Sequence, residues 1–401
     1  MKNPQGIDTG RRGLIGAMIP AERKSVVKTI ARVHVTYHQA ACTGGVMRTL
    51  KNILVTGGAG FIGSNFIRYL FERVGFPGAI VNVDKLTYAG NPESLDDIRQ
   101  SYGGQYHFEH ADIGDFERMR DILARYDIDT VVNFAAESHV DRSIFGPKDF
   151  VQSNIVGTFT LLEAVRAHWG KRRDTLFHHV STDEVYGSLG ETGAFYETTP
   201  YDPRSPYSAS KAASDHLVIA YHHTYELAVT ISNCSNNYGP YQFPEKLIPL
   251  MIMNLREGKP LPVYGDGRQV RDWLHVDDHN SAVWLIMNRG ANGETYNIGG
   301  ENERENIWIV HTLCEAMARI TGNSVDSYKR LITHVADRPG HDRRYAINCD
   351  KIKGALGWTR AVAFDAGLES TIRWYLANDA WVNRVRSGEY RNWIERNYGK
   401  R

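Results

Sequence analysis

Short apolar segments alternate with longer segments of helical spacing from residue 51 onward, and this alternation limits the possible folds of the chain more than any other feature. The apolar segments do not alternate with polar residues, which is typical of strands buried on both faces of a parallel sheet. The predicted strands are residues 53–55, 79–83, 106–108, 130–134, 176–180 and 229–232. The predicted helices between them are residues 61–74, 116–126, 151–168 and 206–225. Repeated β-α units of this length predict an α/β fold with a doubly wound parallel sheet, the Rossmann arrangement.

The sequence changes in character after about residue 235. Prolines become denser there, and loops separate the predicted helices at residues 246–257, 276–288, 307–321 and 364–377. A chain of 401 residues is long enough for two domains. We therefore expect the doubly wound sheet over residues 47–235. A smaller α/β domain is expected mainly over residues 236–401, with some segments returning to the first domain.

Residues 1–46 differ in composition from the rest of the chain. They hold seven basic and two acidic residues, whereas the remainder holds 40 basic and 44 acidic ones. They show no sustained helical or strand period, so we expect an N-terminal extension that is disordered or non-native. Met47 is a candidate natural start, and a genuine flexible leader is the equally supported alternative. The overall net charge of +1 gives no electrostatic case for a nucleic acid or a membrane surface as partner.

The cysteine content points away from metal and disulfide chemistry. Cys42, Cys234, Cys314 and Cys349 include no C-x-x-C pair, so we predict no metal site. In a chain of this length we expect them to be small buried side chains rather than a disulfide framework. The sequence contains no run of 18 apolar residues, so we expect no transmembrane helix and a cytoplasmic protein.

A glycine-rich turn follows the first predicted strand. Gly57, Gly58, Gly60 and Gly63 satisfy both G-x-x-G-x-x-G and G-x-G-x-x-G, and a predicted helix begins there. Such a turn presents backbone N–H groups and a helix N-terminus to a pyrophosphate. Asp84 ends the second predicted strand 21 residues after Gly63, where a dinucleotide fold places the acid that binds a ribose 2′-OH. Because a carboxylate repels a 2′-phosphate, the pattern favours NAD over NADP.

Tyr207 and Lys211 are four residues apart at the start of a predicted helix, so their side chains share one helix face. An ammonium beside a phenol favours the phenolate and is expected to lower the pKa of Tyr207. A phenolate can take the proton of a sugar hydroxyl while the carbon loses a hydride to NAD. The alternative is an ordinary surface pair on a helix.

A polar cluster ends the fifth predicted strand. Ser181, Thr182, Asp183 and Glu184 come at its carboxyl end, where open α/β sheets bind ligands. Two adjacent carboxyl groups can be tuned apart, so that one serves as an acid and the other as a base. The loss of water from a ketosugar requires such a pair. The alternative is a solvated loop in which Asp183 caps the following turn.

Five segments, at residues 56–63, 135–142, 181–187, 207–211 and 233–240, occur in an order that is known from one group of enzymes. Through them the chain resembles the extended short-chain dehydrogenase/reductase superfamily that acts on nucleotide sugars, over about residues 51–377. Within it the chain is similar to the 4,6-dehydratases of dTDP-glucose, since the sugar 4-epimerases lack the pair Asp183-Glu184. A nucleotide-sugar 4-epimerase or decarboxylase and an NAD-binding sensor or scaffold remain the alternatives.

The resemblance implies a lyase reaction in three steps. NAD oxidises the substrate dTDP-glucose at C4, water leaves across C5 and C6, and the hydride returns to C6 to give a 4-keto-6-deoxy sugar. Tyr207 would be the base of the oxidation, with Lys211 and Thr182 assisting. Glu184 would remove the C5 proton while Asp183 protonates the departing C6 hydroxyl. Because NAD is regenerated in every turnover, we expect it to stay tightly bound.

The resemblance also implies the ligand contacts and the assembly. The NAD contacts would be Gly57, Gly60, Phe61, Ile62, Gly63, Asp84, Lys85, Thr87, Asp112, Ile113, Ala135, Ala136, Ser138, Tyr207 and Lys211. The nucleotide-sugar contacts would be Ser138, Thr182, Asn236, Glu245, Lys246, Leu247, Pro262, Tyr264, Arg271, Asn306, Arg338 and His341. A homodimer would form through a four-helix bundle made by residues 148–168 and 206–225 of each subunit. Thymine and uracil differ by one methyl group, so physical reasoning leaves the nucleobase open, and the deoxysugar pathway is open as well.

Overall fold

Seven parallel strands form the central sheet of the chain, whose computed structural model describes residues 47–337 and 340–386. Their order is β3-β2-β1-β4-β5-β6-β10, which is the doubly wound order of a Rossmann sheet with one strand added at an edge. The strands are β1 (Asn52–Thr56), β2 (Ala79–Asp84), β3 (Tyr106–His110), β4 (Thr130–Asn133), β5 (Leu176–Thr182), β6 (Val229–Cys234), β7 (Asn236–Tyr238), β8 (Leu261–Tyr264), β9 (Val270–His275), β10 (Glu294–Ile298), β11 (Glu303–Glu305) and β12 (Ile332–Val335). The predicted fold class and all six predicted strands are confirmed.

Helices cover both faces of this sheet and recur through the rest of the described chain. They are α1 (Phe61–Tyr69), α2 (Asp96–Ser101), α3 (Phe116–Arg125), α4 (Val140–Phe145), α5 (Pro147–Phe150), α6 (Thr158–Trp169), α7 (Pro206–Tyr225), α8 (Leu247–Glu257), α9 (Val276–Arg289), α10 (Asn306–Thr321), α11 (Val325–Lys329), α12 (Asp350–Leu356), α13 (Phe364–Ala377) and α14 (Asp379–Val385). Short 3₁₀ segments occupy Pro92–Leu95 and Asp183–Tyr186. Within the described residues, no helix is both long and apolar enough to cross a membrane.

The eight predicted helices are present, with two local differences. Residues 61–74 form α1 followed by a π-helical turn, Leu70–Val74, and residues 151–168 begin with a π-helical turn, Val151–Gly157. Apolar spacing alone does not separate i→i+4 from i→i+5 hydrogen bonding, so the sequence predicts a plain helix at both places.

The strands of the central sheet are buried on both faces, as their apolar composition predicts. Side chains of Ile53 and Val55 join one apolar core, whereas Leu54 between them joins another. The same alternation occurs in β4, where Val132 lies in the first core and Val131 in the second. Alternate residues therefore pack against helices on opposite sides of the sheet.

Two small sheets and a third apolar core occupy the C-terminal part of the described chain. β9 pairs with β7 in parallel and with β11 in antiparallel, and β8 pairs with β12 in parallel. The third core surrounds α8, α10 and α13.

β10 lies after residue 236 but pairs with β6 in the central sheet. We did not predict this strand, because three of its five residues, Glu294, Thr295 and Asn297, are polar. The division of the chain into domains near residue 235 stays a prediction.

The glycine-rich turn joins β1 to α1 through close backbone contact. A Cβ atom at Gly63 would lie 2.4 Å from the carbonyl oxygen of Gly57 and 2.8 Å from the Cα atom of Gly58. Both neighbours are backbone atoms, which cannot move without shifting the turn or the helix. Glycine at position 63 therefore lets α1 start directly against the end of β1.

Replacing this glycine should destabilise the chain. We expect Gly63→Ala to lower the free energy of unfolding by about 1–3 kcal/mol, because the added methyl group overpacks the turn. Gly104→Ala is the matched control, because a Cβ atom there meets nothing within 4 Å. Urea denaturation of both variants measures the difference, and equal midpoints for the two would contradict the packing argument.

Candidate active site

A cleft opens at the carboxyl ends of β1, β2, β4, β5 and β6. The chain changes direction along the sheet between β1 and β4, and ligands of open α/β sheets bind at this switch point. Every predicted NAD contact and every predicted catalytic residue lines the cleft. Among the predicted nucleotide-sugar contacts, the residues in its lining are Ser138, Thr182, Asn236, Glu245 and Lys246.

The glycine-rich turn forms the floor of the cleft. Gly57 has a φ angle of +68°, and a Cβ atom there would lie 2.8 Å from the backbone of Ala135. α1 begins after Gly60, and no side chain caps its first turn. The unpaired N–H groups of a helix N-terminus and the positive end of the helix dipole suit a phosphate. The turn therefore has the geometry of a pyrophosphate cradle.

Asp84 at the end of β2 is held beside this turn. Its carboxylate accepts hydrogen bonds from the backbone N–H of Ala59 (3.0 Å) and of Leu86 (2.8 Å). Burial raises the pKa of Asp84, while the two backbone hydrogen bonds oppose the rise. Farther along the cleft, Lys85 donates to Ser153 Oγ (2.7 Å), and its Nζ lies 3.7 Å from Asp112. Predicted NAD contacts from β2 and from the loop after β3 thus meet in one place.

Asp183 and Glu184 follow β5 in the 3₁₀ turn Asp183–Tyr186. Thr182, rather than Asp183, caps this turn, because its hydroxyl accepts a hydrogen bond from the Glu184 N–H (3.3 Å). Asp183 is only 2% exposed, and its Oδ1 accepts from the Thr182 hydroxyl (3.3 Å). In the described part of the chain its Oδ2 has no hydrogen-bond partner.

The surroundings of Asp183 favour its protonated form. Burial, the neighbouring Glu184 and the carboxylate of Asp272 together raise the pKa of Asp183 well above its usual value. Arg271 and the hydrogen bond from Thr182 oppose this rise without cancelling it. A carboxyl group in such surroundings can act as a proton donor near neutral pH.

Tyr207 and Lys211 lie in the first two turns of α7. A capping box between Ser205 and Ser208 starts this helix, and Pro206 occupies its first position. The helix start thus directs both side chains into the cleft, where Tyr207 is 8% and Lys211 is 4% exposed.

The electrostatics of Tyr207 differ from the prediction. We expected Lys211 to lower the pKa of Tyr207, whereas burial, mainly, and then Glu184 raise it well above its usual value. A hydrogen bond with Thr182 opposes this rise. Lys211 donates instead to the carbonyl oxygen of Val180 (2.9 Å), and its own pKa is lowered by burial. The prediction was wrong for the chain alone, because spacing on a helix does not reveal which acceptor a buried ammonium finds.

The other predicted nucleotide-sugar contacts lie beyond the cleft lining, and Arg338 lies outside the described residues. Those with described positions are Leu247 on α8, Pro262 and Tyr264 on β8, Arg271 on β9, Asn306 on α10 and His341 before α12. Tyr264 donates to Asp141 (2.9 Å), and its ring meets the His341 ring edge-on at 6.0 Å. The structure therefore brings Tyr264 and His341 together.

Arg271 and Glu245 are both buried and held by neighbouring groups. The guanidinium of Arg271 donates to the carbonyl oxygens of Val270 (2.8 Å) and Asp342 (2.9 Å) and lies 4.3 Å from the centre of the Tyr345 ring. Glu245 accepts from Tyr88 (3.1 Å) and Arg142 (3.0 Å). These contacts fix the orientation of one cation and one anion close to the catalytic groups.

Several residues of the cleft lining were absent from the predictions. They include Glu137, Ser153, Asn237 and Gln242. Glu137 and Asn237 lie inside two motifs that were recognised, so those motifs were the available signal. Ser153 and Gln242 carry no local signal, because only the folded chain brings them to the strand ends.

The cysteines are buried, as predicted. Cys234, Cys314 and Cys349 are buried free thiols, and Cys42 lies outside the described residues. Burial raises the pKa of Cys234, which borders the cleft, to about 12. Residues 47–337 and 340–386 contain no group of three or more His, Cys, Asp or Glu side chains that could hold a metal ion.

Comparison with known proteins extends these observations. A family model described as GDP-mannose 4,6 dehydratase matches residues 54–371. A dTDP-glucose 4,6-dehydratase of Salmonella typhimurium is 54% identical over 360 residues, which cover 86% of this chain and 98% of that protein.

Solved structures agree with the sequence relatives. A dTDP-glucose 4,6-dehydratase from Bacillus anthracis in complex with NAD is 46% identical, with a TM-score of 0.74, over 84% of this chain and 99% of that one. One from Streptomyces venezuelae, also with NAD bound, is 44% identical, with a TM-score of 0.77, over 83% and 99%. The chain therefore belongs to the 4,6-dehydratase family of the extended short-chain dehydrogenase/reductase superfamily.

Proposed function

We propose that the chain converts dTDP-glucose into dTDP-4-keto-6-deoxyglucose and water. The observation that carries this proposal is the buried, proton-holding Asp183 beside Glu184, in the same cleft as Tyr207 and Lys211. Oxidising a sugar alcohol requires one base, whereas eliminating water from the resulting ketone requires a second base and an acid. The 54% identity to dTDP-glucose 4,6-dehydratases supports the same substrate and reaction.

The residues of the cleft fit NAD. The backbone cradle at Gly57 and Gly60 and the start of α1 would hold the pyrophosphate, and Asp84 would accept hydrogen bonds from the adenosine ribose. Lys85, Thr87, Asp112 and Ile113 would border the adenosine side. Bound NAD supplies a hydride acceptor and a positive ring charge, both of which are restored at the end of the turnover.

Tyr207 would remove the proton of the C4 hydroxyl during oxidation. Burial and Glu184 keep its phenol protonated in the chain alone, so the reaction needs added positive charge near the ring. The ammonium of Lys211 lies on the same helix face and would contribute such charge in the loaded site. Thr182 would orient the phenol through its hydrogen bond with Tyr207.

Asp183 and Glu184 would eliminate water from the ketone. The C4 ketone makes the C5 proton acidic, and Glu184 would take that proton. Asp183 would give its proton to the C6 hydroxyl as the C6–O bond breaks, so that one molecule of water leaves. The raised pKa of Asp183 keeps this proton available at neutral pH.

Buried and half-buried polar groups would hold the nucleotide sugar. Arg271, fixed by two carbonyl oxygens and the Tyr345 ring, can neutralise a diphosphate, and Lys246 lies at the cleft edge, where it donates to Ser138 O (3.0 Å). The Oδ1 atom of Asn236 is buried and has no hydrogen-bond partner among the described residues. We assign Asn236 to a sugar hydroxyl on this basis.

A homodimer would cover an apolar surface on the helices after β4. Val151, Val156 and Phe159 are exposed on the segment that the sequence assigns to the subunit interface, and Tyr225 is exposed at the end of α7. Large apolar side chains that are exposed in a patch are typical of interaction surfaces. Pairing α6 and α7 with their counterparts in a second copy would bury these apolar side chains in a four-helix bundle.

We also propose a cytoplasmic location.

Product analysis tests the proposed reaction. Purified protein incubated with dTDP-glucose should yield a 4-keto-6-deoxy sugar by NMR, with UDP-glucose as the control for the nucleobase. A galactose product would instead show a 4-epimerase. Binding of NAD without any sugar product would support the sensor or scaffold alternative.

Two variants should separate the oxidation from the elimination. We expect Glu184→Gln to reduce bound NAD on addition of dTDP-glucose but to stall before water loss, because only the C5 base is missing. Tyr207→Phe should fail to reduce NAD, because the C4 proton has no acceptor. Absorbance at the wavelength of NADH and product formation measure the two steps. Normal turnover in both variants would contradict these roles.

Asp183→Asn should stabilise the fold while it abolishes most of the activity. The raised pKa means that Asp183 keeps its proton in the folded chain, whereas in the unfolded chain it releases the proton above about pH 4. The free energy of unfolding of the wild type therefore falls as the pH rises above about 4. An asparagine side chain does not ionise, so the variant does not lose stability in this way. We expect Asp183→Asn to be about 1–3 kcal/mol more stable than the wild type at pH 8. Urea denaturation at pH 5 and pH 8 should show a larger difference at pH 8. The exposed Glu191→Gln serves as control, and a variant less stable than wild type at pH 8 would refute the argument.

A charge on the exposed apolar surface should weaken the homodimer. Phe159 is 46% exposed, and we expect Phe159→Glu to weaken self-association by about 2–4 kcal/mol, because the carboxylate would be buried in the bundle. Tyr196→Glu is the control, since Tyr196 is 50% exposed but lies outside these helices. Analytical ultracentrifugation gives the mass of each variant. Equal dissociation constants for the two variants would place the interface elsewhere.

A further inference from the structure

Two buried groups of opposite charge lie one helical turn apart on α7 without a direct ion pair between them. Lys211 is 4% exposed, and Asp215 is 2% exposed. In residues 47–337 and 340–386, no Lys or Arg nitrogen lies within 4 Å of the Asp215 carboxylate. Isolated buried charges are costly, so each group requires compensation from its surroundings.

The ring of His179 on β5 connects the two groups. Its Nε2 atom lies 3.2 Å from Lys211 Nζ and 3.3 Å from Asp215 Oδ1. Its Nδ1 atom lies 3.2 Å from the side-chain nitrogen of Asn133 on β4. The side-chain oxygen of Asn133 accepts a hydrogen bond from the Thr56 hydroxyl at the end of β1. Burial lowers the pKa of His179 to about 4, so the ring is neutral. The neutral imidazole therefore contacts both Lys211 and Asp215 but supplies no charge to balance either of them.

Asp215 itself is held firmly by its second oxygen. Oδ2 accepts hydrogen bonds from Ser181 Oγ (2.7 Å) and from the Tyr201 hydroxyl (3.0 Å). Ser181 lies on β5 and Tyr201 precedes α7, so the carboxylate is fixed from two sides. These donors satisfy the oxygen but bring no positive charge.

Asp215 supplies the negative charge that acts on Lys211. The other titratable groups around the pair are His179 on β5, Cys234 on β6, Tyr207 on α7, and Tyr186 and Tyr201 before α7. Burial raises the pKa of Cys234 to about 12 and raises the pKa values of the three tyrosines, so these groups are neutral. Burial lowers the pKa of Lys211, and Asp215 opposes that effect.

We propose that Asp215 is a positioning residue for the oxidation step, whose carboxylate, at the same His179 Nε2 atom that Lys211 contacts, keeps Lys211 protonated and held at the Val180 carbonyl. The inference rests on the proposed function, in which a charged Lys211 assists Tyr207. The sequence motif of Tyr207 and Lys211 does not include Asp215, which lies four residues after Lys211. The assignment follows from the contacts of Asp215, His179 and Lys211 in the fold.

The pH dependence of NAD reduction tests the proposal. In a Glu184→Gln chain, which should stop after oxidation, the rate of NADH formation on mixing with dTDP-glucose reports the step that needs Lys211. We expect this rate to fall at high pH as Lys211 loses its proton. Removing the charge with Asp215→Asn should move the fall by about one pH unit or more to lower pH, and the rate near pH 6 should change less than the rate near pH 9.

Matched variants separate the charge from the packing. Tyr201→Phe removes a hydrogen bond from the same carboxylate but leaves its charge, so the fall should stay at the wild-type pH. Asp215→Glu should restore part of the shift, because it returns the charge. Asp215→Ser repeats the removal of the charge with a smaller side chain if Asp215→Asn is not recovered as folded, NAD-containing protein.

The measurements separate a failed role of Asp215 from a failed assignment of the catalytic residues. The role of Asp215 would be overturned if the pH at which the rate falls did not move in folded Asp215→Asn or Asp215→Ser. It would also be overturned if Tyr201→Phe moved that pH by the same amount. Failure of Glu184→Gln itself to form NADH would instead contradict the proposed roles in the reaction. The pH profile of sugar product formation by Asp215→Asn, measured with Glu184 intact, would then decide the role of Asp215.

Discussion

Parallel strand pairing is the constraint on which the rest of this structure depends. Because β1, β4, β5 and β6 run in one direction, their carboxyl ends meet at one edge of the sheet. The register places Asn133 beside both Thr56 and His179, and Thr182 beside Cys234. Motifs far apart in the sequence therefore meet in one cleft at the strand ends.

The cleft concentrates polar groups in a buried place, and this has an energetic cost. Asp183, Lys211 and Asp215 are each less than 5% exposed, and burial disfavours the charged form of such groups. The surrounding β-sheet and its two apolar cores provide the stability that tolerates this arrangement. A site with a protonated Asp183 and a lysine of lowered pKa is suited to proton transfer, and burying such groups costs stability.

The sequence predicted most of what depends on local pattern. Six strands of the central sheet, the start of α7 and the glycine-rich turn each follow from short-range periodicity or backbone requirements, and all occur where expected. Long-range contacts were not accessible in this way. The raised pKa of Tyr207, the support of Arg271 by two carbonyl oxygens and the bridge through His179 arise only when distant segments pack together. β10 was missed for a related reason, since its place at the edge of the sheet permits polar residues in the strand.

The pairing of β10 with β6 has a consequence for how the chain is made. β6 ends at Cys234, and its partner begins at Glu294, so a ribosome must synthesise residues 235–293 before the outer edge of β6 can be covered. Until then, β6 presents unpaired N–H and C=O groups beside an apolar core, which is a typical start for strand-to-strand aggregation. The intervening α8 and α9 are local structures that form quickly. The closing strand therefore sets the earliest point in translation at which the edge of β6 can be covered.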